Sequence, residues 1–338
     1  MPYRILRPLL FALEPERAHA LTFSLLRTAH RVGLLAAMRT QADDPVTLMG
    51  LQFRNRLGIA AGLDKNATCV DALGALGVGF VEVGTVTPQP QAGNPPPRIF
   101  RLPKAQALIN RMGFPNDGVV TLCQHLSQRR YTGVCGVNIG KNASTSLEHA
   151  VDDYVACLRA VAARADYIAV NVSSPNTVGL RSLQAVEQLK PILNALLNAR
   201  EQLLPTLGRP LPLLIKIAPD LSAEELQSLT ALLLELRVDG VIATNTTLQR
   251  PGNWPLGVAA VEKGGLSGEP VHALSLATVR TLRGLLGAEF PIIGVGGICS
   301  AQHALDMRAA GADLVQVYTG LIYQGPRLIN GILHALRT

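Results

Sequence analysis

The sequence predicts a (β/α)8 barrel preceded by a small two-helix extension. Three observations carry that expectation. Eight short apolar runs alternate with helical stretches. The runs are almost unbroken in apolar residues, as parallel strands covered on both faces are. The repeats occupy roughly 260 residues, close to the about 250 of such a barrel. A doubly wound open sheet competes, and the count of eight decides against it.

In chain order, residues 1–40 read as the helical extension and residues 41–338 as the barrel. Ile5, Leu6, Leu9, Leu10 and Leu13 recur at spacings of three and four, flanked by Arg4 and Arg7. Glu14-Pro15-Glu16 restarts the chain, with proline suited to a first helical turn and the acids to its positive end. Ala18, Leu21, Leu25, Leu26, Ala29 and Val32 then share one side, and Arg27 and Arg31 another. Helices this short and apolar need a surface: the body of the protein, a partner or a bilayer. Residues 40–45 read as a linker, and 46–53, around Gly50, as a hairpin. The eight runs follow at 57–62, 80–85, 134–138, 167–171, 213–216, 240–245, 291–295 and 314–318, with helical stretches such as 223–236 and 301–310 between them.

Composition agrees. Apolar residues make up 48% of the 338 and charged residues 16%, so the chain buries a large core, which excludes disorder, collagen-like repeats and coiled coil. The net charge is +7, and residues 1–40, with six arginines and two glutamates, supply +4 of it. A basic patch confined to one end suits an anionic lipid surface better than a nucleic-acid groove. Cys69, Cys123, Cys135, Cys157 and Cys299 are scattered without metal-ligand or disulfide spacing, which reads as a reducing compartment and no structural metal. The apolar stretch 9–13 is too short for a signal peptide or a membrane span.

In barrels of this kind the working residues follow the strands. Here they are Asp64-Lys65-Asn66, Thr85-Val86-Thr87, Asn138-Ile139-Gly140, 171–177, Lys216, Thr244-Asn245-Thr246-Thr247, Gly296-Gly297 and Tyr318-Thr319-Gly320. No triad or carboxylate pair stands among them, which argues against proteases and glycosidases. Neutral hydrogen-bonding groups with two lysines suit a flat polar heterocycle and an anionic substrate. The glycines after strands seven and eight fit a phosphate site, and Gly264–Gly268 is expected to close over it. Tight βα turns also use such glycines, so position carries that reading. Lys216 ends an apolar strand with no acidic neighbour before Asp220, and a snorkelling surface lysine is the plain alternative. Lys65 is suited to hold a carboxylate, a salt bridge to Asp64 being disfavoured if both stand on a strand.

Ala60-Ala61-Gly62-Leu63-Asp64-Lys65, Glu82-Val83-Gly84-Thr85-Val86-Thr87-Pro88, Asn110-Arg111-Met112-Gly113-Phe114 and Asn171-Val172-Ser173-Ser174-Pro175-Asn176-Thr177 resemble the dihydroorotate dehydrogenases of the membrane-associated, quinone-using class. So do 242–247, 264–268, 294–298 and 14–21, and the resemblance spans practically the whole chain. It implies an FMN enzyme that oxidises (S)-dihydroorotate to orotate in pyrimidine synthesis and reduces a membrane quinone. Ala61, Gly62, Lys65, Thr85, Asn138, Asn171, Lys216 and Thr244 would meet the flavin and its ribityl chain, and Gly268, Gly297, Tyr318 and Thr319 its phosphate. Lys65, Asn110, Arg111, Met112, Gly113, Phe114, Asn171, Asn176, Asn245 and Thr246 would hold dihydroorotate, since each asparagine offers a donor and an acceptor to an imide.

Ser174 is the implied base. The soluble class of the family has cysteine there, so serine selects the quinone class. A serine needs a relay or activating hydrogen bonds to act near neutral pH. His19 and Arg101 correspond to residues lining the quinone passage. Pro115 stands where the family usually has asparagine, and Thr319 where serine is commoner. A peripheral monomer on the cytoplasmic side of the inner membrane, binding no nucleic acid and no metal, completes the expectation. The rivals are the soluble class, a tRNA-modifying flavin barrel and a non-catalytic peripheral membrane protein.

Overall fold

The computed structural model describes residues 3–35, 44–251, 254–255 and 257–337. Two helices open the chain, α1 (Tyr3–Ala12) and α2 (Pro15–Arg31). The Glu14 carboxylate caps α2, accepting the N–H groups of Glu16 at 3.0 Å and Arg17 at 2.9 Å. That satisfies two of the four donors a helix start leaves open. Pro15 supplies the first turn, and His30 and Arg31 face the negative end. Of the expected linker at 40–45, residues 40–43 lie outside the described residues; Asp44 is tied to Arg56 at 3.0 Å.

The expected hairpin is present as β1 (Val46–Leu48) and β2 (Leu51–Phe53), paired antiparallel. Eight parallel strands then close into a barrel in the order β10-β12-β13-β3-β4-β7-β8-β9. They are β3 (Leu57–Ile59), β4 (Phe80–Val86), β7 (Val134–Ile139), β8 (Tyr167–Asn171), β9 (Leu213–Ile217), β10 (Gly240–Ala243), β12 (Ile292–Val295) and β13 (Leu314–Val317). The helices that link and cover them are α3 (Val70–Gly74), α4 (Gly118–Ser127), α5 (Ala150–Val161), α6 (Val186–Leu207), α7 (Ala223–Glu235), α8 (His272–Leu286), α9 (Ala301–Ala309), α10 (Thr319–Gln324) and α11 (Arg327–Leu336). Local signals set the helix starts. At α7, Ser222 and Glu225 form a reciprocal capping box.

Alternate residues of each strand point inward. Phe80, Tyr167, Ala169, Leu214, Ile242, Ile293 and Leu314 fill the lower barrel together with Phe53, and the hairpin seals that end. Each buried side chain of this size contributes about 1.5–3 kcal/mol by leaving water. Glycine appears where two inner side chains cannot coexist. A Cβ on Gly136 would lie 2.1 Å from the Tyr167 ring, and one on Gly58 2.4 Å from the Phe80 ring.

One part of the fold goes beyond expectation. Segment 264–268, expected to close over the phosphate site, supplies strand β11 (Gly265–Gly268), the edge of a three-stranded antiparallel sheet with β6 (Ala107–Asn110) and β5 (Ile99–Leu102). The glycines there serve close backbone approach. A Cβ on Gly264 would lie 2.3 Å from the Asn110 carbonyl oxygen, and one on Gly268 2.3 Å from that of Gln106. This small sheet lies over the C-terminal end of the barrel and carries the extension. Arg98 forks onto Glu16 of α2 at 2.8–3.1 Å, and Arg101 donates to the carbonyls of Phe11 at 3.1 Å and Leu13 at 2.7 Å.

Candidate active site

At the C-terminal ends of the strands the barrel interior turns from apolar to polar. Asn171 donates to Thr85 Oγ1 at 2.9 Å, and Thr85 donates to Asn138 Oδ1 at 2.5 Å. Asn245 donates to Ser173 Oγ at 3.0 Å and to Asn171 Oδ1 at 3.3 Å. Strands thus fix one another's side chains across the barrel mouth, leaving their remaining polar atoms for the cavity above. Asn138 departs from expectation here. It is fully buried beneath Thr85 and Asn171 and is not on the cavity wall. It orients the two residues that are.

One layer deeper lies Glu82, which the sequence reading passed over. Its carboxylate is buried and accepts from Asn138 Nδ2 at 2.9 Å, Tyr167 OH at 2.9 Å and Gln316 Nε2 at 2.8 Å. Burial and that carboxylate push the Tyr167 hydroxyl well above its ordinary range. Lys216 stands 3.5 Å from Glu82. Its acidic neighbour is therefore supplied across the barrel, where no inspection of the adjoining sequence finds it. A lone glutamate inside an apolar strand was the available signal.

Lys65 reaches the same cavity from the turn after β3 and donates to the Gly62 carbonyl at 2.8 Å. Asp64 is turned the other way and accepts the N–H groups of Thr68 at 2.9 Å and Cys69 at 2.7 Å. The pair is separated as expected, though by a turn and not by strand alternation. Burial lowers the Lys65 ammonium to about 8, with Glu16 opposing the shift and Arg98 adding to it.

Ser174 is buried at the cavity wall in the loop after β8, and its Oγ accepts the Asn176 N–H at 3.2 Å. Asn176 donates to Asn110 Oδ1 at 3.0 Å, joining two of the expected substrate ligands. Two further residues hold this region and were not found from sequence. Asn94 donates to the carbonyls of Arg111 at 2.9 Å and Asn176 at 3.1 Å. Arg181 ties the Ser173 carbonyl at 3.1 Å, the Thr246 carbonyl at 2.7 Å and Asp220 at 2.7 Å. Their partners lie on distant loops, so no local pattern marks them.

Met112, Gly113 and Phe114 line the cavity, but the Arg111 side chain does not. It pairs with Glu262 at 2.6 Å and covers the Phe100 ring at 4.6 Å, because its neighbours in the β6–β11 sheet offer a carboxylate and an aromatic face. Pro115 follows Phe114, whose φ is +54°, and the loop is held on either side by the Gln91–Asn116 bridge and Asn94.

Gly268, Gly297, Tyr318, Thr319 and Thr244 meet at the other end of the cavity. Ser267 and Thr319 hydroxyls are 2.8 Å apart, and Thr244 is 2.8 Å from Ser275. The N–H groups of Gly296, Gly297 and Tyr318 reach no acceptor among the described residues. Donors of this kind, grouped after the last two strands, form an anion cradle.

Lys65, Lys216, Ser174, Asn110, Asn176 and the cradle residues Gly297, Tyr318 and Thr319 face one cavity of ≈ 530 Å³, which runs from the strand ends to α1 and α2. His19 lies on its α2 wall, its ring 4.1 Å from that of Phe23. Burial lowers the imidazole to about 4, and the Lys65 charge adds to the effect, so it is neutral at pH 7. Arg101 lies on the wall beneath α1, 4.7 Å above the Phe11 ring. The outer faces of the two helices are apolar, with Leu9 67% and Leu25 49% exposed. Among the described residues no helix is long and apolar enough to cross a membrane.

The family model described as dihydroorotate dehydrogenase matches residues 45–338. The chain belongs to that family. Relatives named dihydroorotate dehydrogenase (quinone) extend the match through the helical extension. The protein of Acinetobacter baylyi is 50% identical over 338 residues, covering 99% of this chain and 100% of the relative. That of Azotobacter vinelandii is 53% identical over 335 residues, covering 99% and 96%. The crystal structure of the Eimeria tenella DHODH in complex with ferulenol has a TM-score of 0.88 and 38% identity, over 96% of this chain and 90% of that one. This member of the dihydroorotate dehydrogenase family is thus an oxidoreductase of the quinone-using class.

Proposed function

We propose that this protein oxidises (S)-dihydroorotate to orotate on FMN and passes the electrons to a membrane quinone, a step of pyrimidine synthesis. The observation that carries the reading is the single cavity that joins Lys65, Ser174 and Lys216 at one end of the barrel to the α1–α2 pair.

The donor set fits FMN. The unused amides of Gly296, Gly297 and Tyr318 suit a phosphate, and the Gln316 Oε1 and Thr246 Oγ1 atoms are buried without a partner. Ala61, Gly62, Thr85, Thr244 and Lys216 would surround the ring and chain, with Gly268, Gly297, Tyr318 and Thr319 at the phosphate. Bound there, FMN supplies a two-electron acceptor that a quinone can reoxidise. Lys65 pairs with the substrate carboxylate, while Asn110, Asn171, Asn176 and Asn245 read its imide edges. Ser174 takes the ring-carbon proton, and the Asn176 N–H holds its oxygen in place.

Residues 1–40 form the access extension and 41–338 the catalytic barrel. Quinone enters between α1 and α2 past His19 and Arg101. The exposed leucines, with Arg4, Arg17, Arg27 and Arg31 nearby in sequence, hold a monomer peripherally on the cytoplasmic face of the inner membrane. An anaerobic absorbance titration tests the whole reading. Dihydroorotate should bleach a yellow protein, and a quinone analogue should restore the colour. A colourless protein, or one that dihydroorotate leaves oxidised, overturns it.

A further inference from the structure

The barrel interior contains an anion that the reaction so far leaves without a task. Glu82 lies below the cavity floor with its side chain at 0% exposure, and Lys216 at 6%, the two facing each other across the lumen at 3.5 Å. They stand on β4 and β9, which are not neighbours in the barrel, so the pair is made through the interior and not along the sheet. Among the described residues no other carboxylate is paired with Lys216. Asn138, Tyr167 and Gln316 each donate to the same carboxylate.

Such an arrangement is a poor device for stability. Taking two charges from water costs several kcal/mol per ion, and well-packed apolar residues would serve a barrel core as well or better. The same lumen a few ångströms lower is filled that way, by Phe80, Leu214, Ile242 and Leu314. Gly136 is required so that Tyr167 can fit beside Glu82, since any Cβ would collide with its ring. The polar layer is thus built around the carboxylate at the expense of ordinary packing.

We propose that Glu82 is a positioning residue for the redox step: it is the fixed counter-charge of Lys216 and limits how strongly that lysine favours electrons on the flavin. This rests on the FMN reading above. A lysine alone in a low-dielectric barrel would hold negative charge on the cofactor too firmly for ready transfer to a quinone. A carboxylate behind it weakens that field. Lys216 keeps its place at the cavity wall while its net effect on the cofactor is trimmed.

The test is the midpoint potential of the bound flavin in the full-length holoenzyme. Glu82→Gln removes the charge and nearly keeps the shape. It should favour binding of reduced over oxidised FMN at least tenfold more than wild type, a rise of about 30 mV for a two-electron couple. Flavin reduction by dihydroorotate should quicken and reoxidation by quinone should slow. Tyr167→Phe keeps the charge but removes one donor to it, so its potential should move the opposite way, by about threefold in the same ratio. Opposite shifts are a signature that general loosening of the barrel does not produce. A Glu82→Gln holoenzyme with an unchanged potential overturns the proposal. If that variant fails to hold flavin, an unchanged or raised potential in Tyr167→Phe overturns it instead. A wild-type apoprotein that takes up no FMN would refute the cofactor reading itself, which separates the two failures.

Discussion

The barrel and the helical extension solve the same packing problem in opposite ways. Inside the barrel, strand residues are buried on both faces and the polar side chains from Glu82 up to Asn245 bond to one another across the lumen. Among the described residues the extension keeps only Leu10, Ala18, Phe23 and Leu35 buried, and leaves Ile5, Leu9, Leu13, Leu21 and Leu25 facing outward. Phe23 and Leu35 join the main core, and the rest of the docking is polar and peripheral: Arg98 on Glu16, Arg101 on the α1 carbonyls, Tyr3 on the Ile322 carbonyl. A rigid site is thus coupled to a lightly anchored, apolar roof. The difference separates chemistry, which needs fixed geometry, from access, which needs an apolar entrance.

The contrast can be broken first at Ser174. Ser174→Ala should slow flavin reduction by dihydroorotate about 10²–10⁴-fold in stopped-flow measurements, with FMN still bound. A near-wild-type rate would falsify its role as base. Next comes packing. Ile293→Ala in the barrel lumen should lose about 2–5 kcal/mol in urea unfolding. Leu9→Ala, at 67% exposure, should change stability by less than about 0.5 kcal/mol yet weaken binding to anionic vesicles. Equal losses at both sites would erase the distinction drawn here.

Smaller effects sharpen it. Lys65→Met should raise KM for dihydroorotate about 10–100-fold, the worth of one charged hydrogen bond at about 1.5–3 kcal/mol. The lowered pKa gives this contact a pH dependence. Lys65 is charged below about 8 and loses its proton above it, so affinity for the substrate carboxylate is full at lower pH and declines as pH rises through that value. A KM that stays flat from pH 7 to 9 would contradict that assignment. Last, Arg101→Ala should raise KM for quinone about two- to fivefold while sparing flavin reduction, because it loosens only the C-terminal end of α1, a loss of about 0.3–1 kcal/mol.

Much of this was legible in sequence because it is local. Apolar runs marked the strands, Glu14-Pro15-Glu16 marked the start of α2, and the rim residues followed the strands in order. The β5–β6–β11 sheet was not legible, since β11 comes from a segment more than 150 residues beyond the β5–β6 pair it completes. Arg111 was misdirected for a related reason. Glu262 and Phe100, which claim its side chain, approach it only through that sheet. Asn94 and Arg181 escaped notice because most of their ligands are backbone carbonyls of other loops, and Asp220, the one side chain Arg181 pairs with, stands 39 residues away.

By itself, then, the sequence determined the number and order of the eight barrel strands, the helices between them, and which residues would crown the barrel. Periodicity and capping act over a few residues and are written where they act. Only the tertiary structure decided which crown residues touch the cavity, that Asn138 supports it from below, and that Glu82 faces Lys216. Closing a sheet into a barrel brings together side chains from strands that share no neighbourhood in the chain, and the field each one feels is set by that meeting.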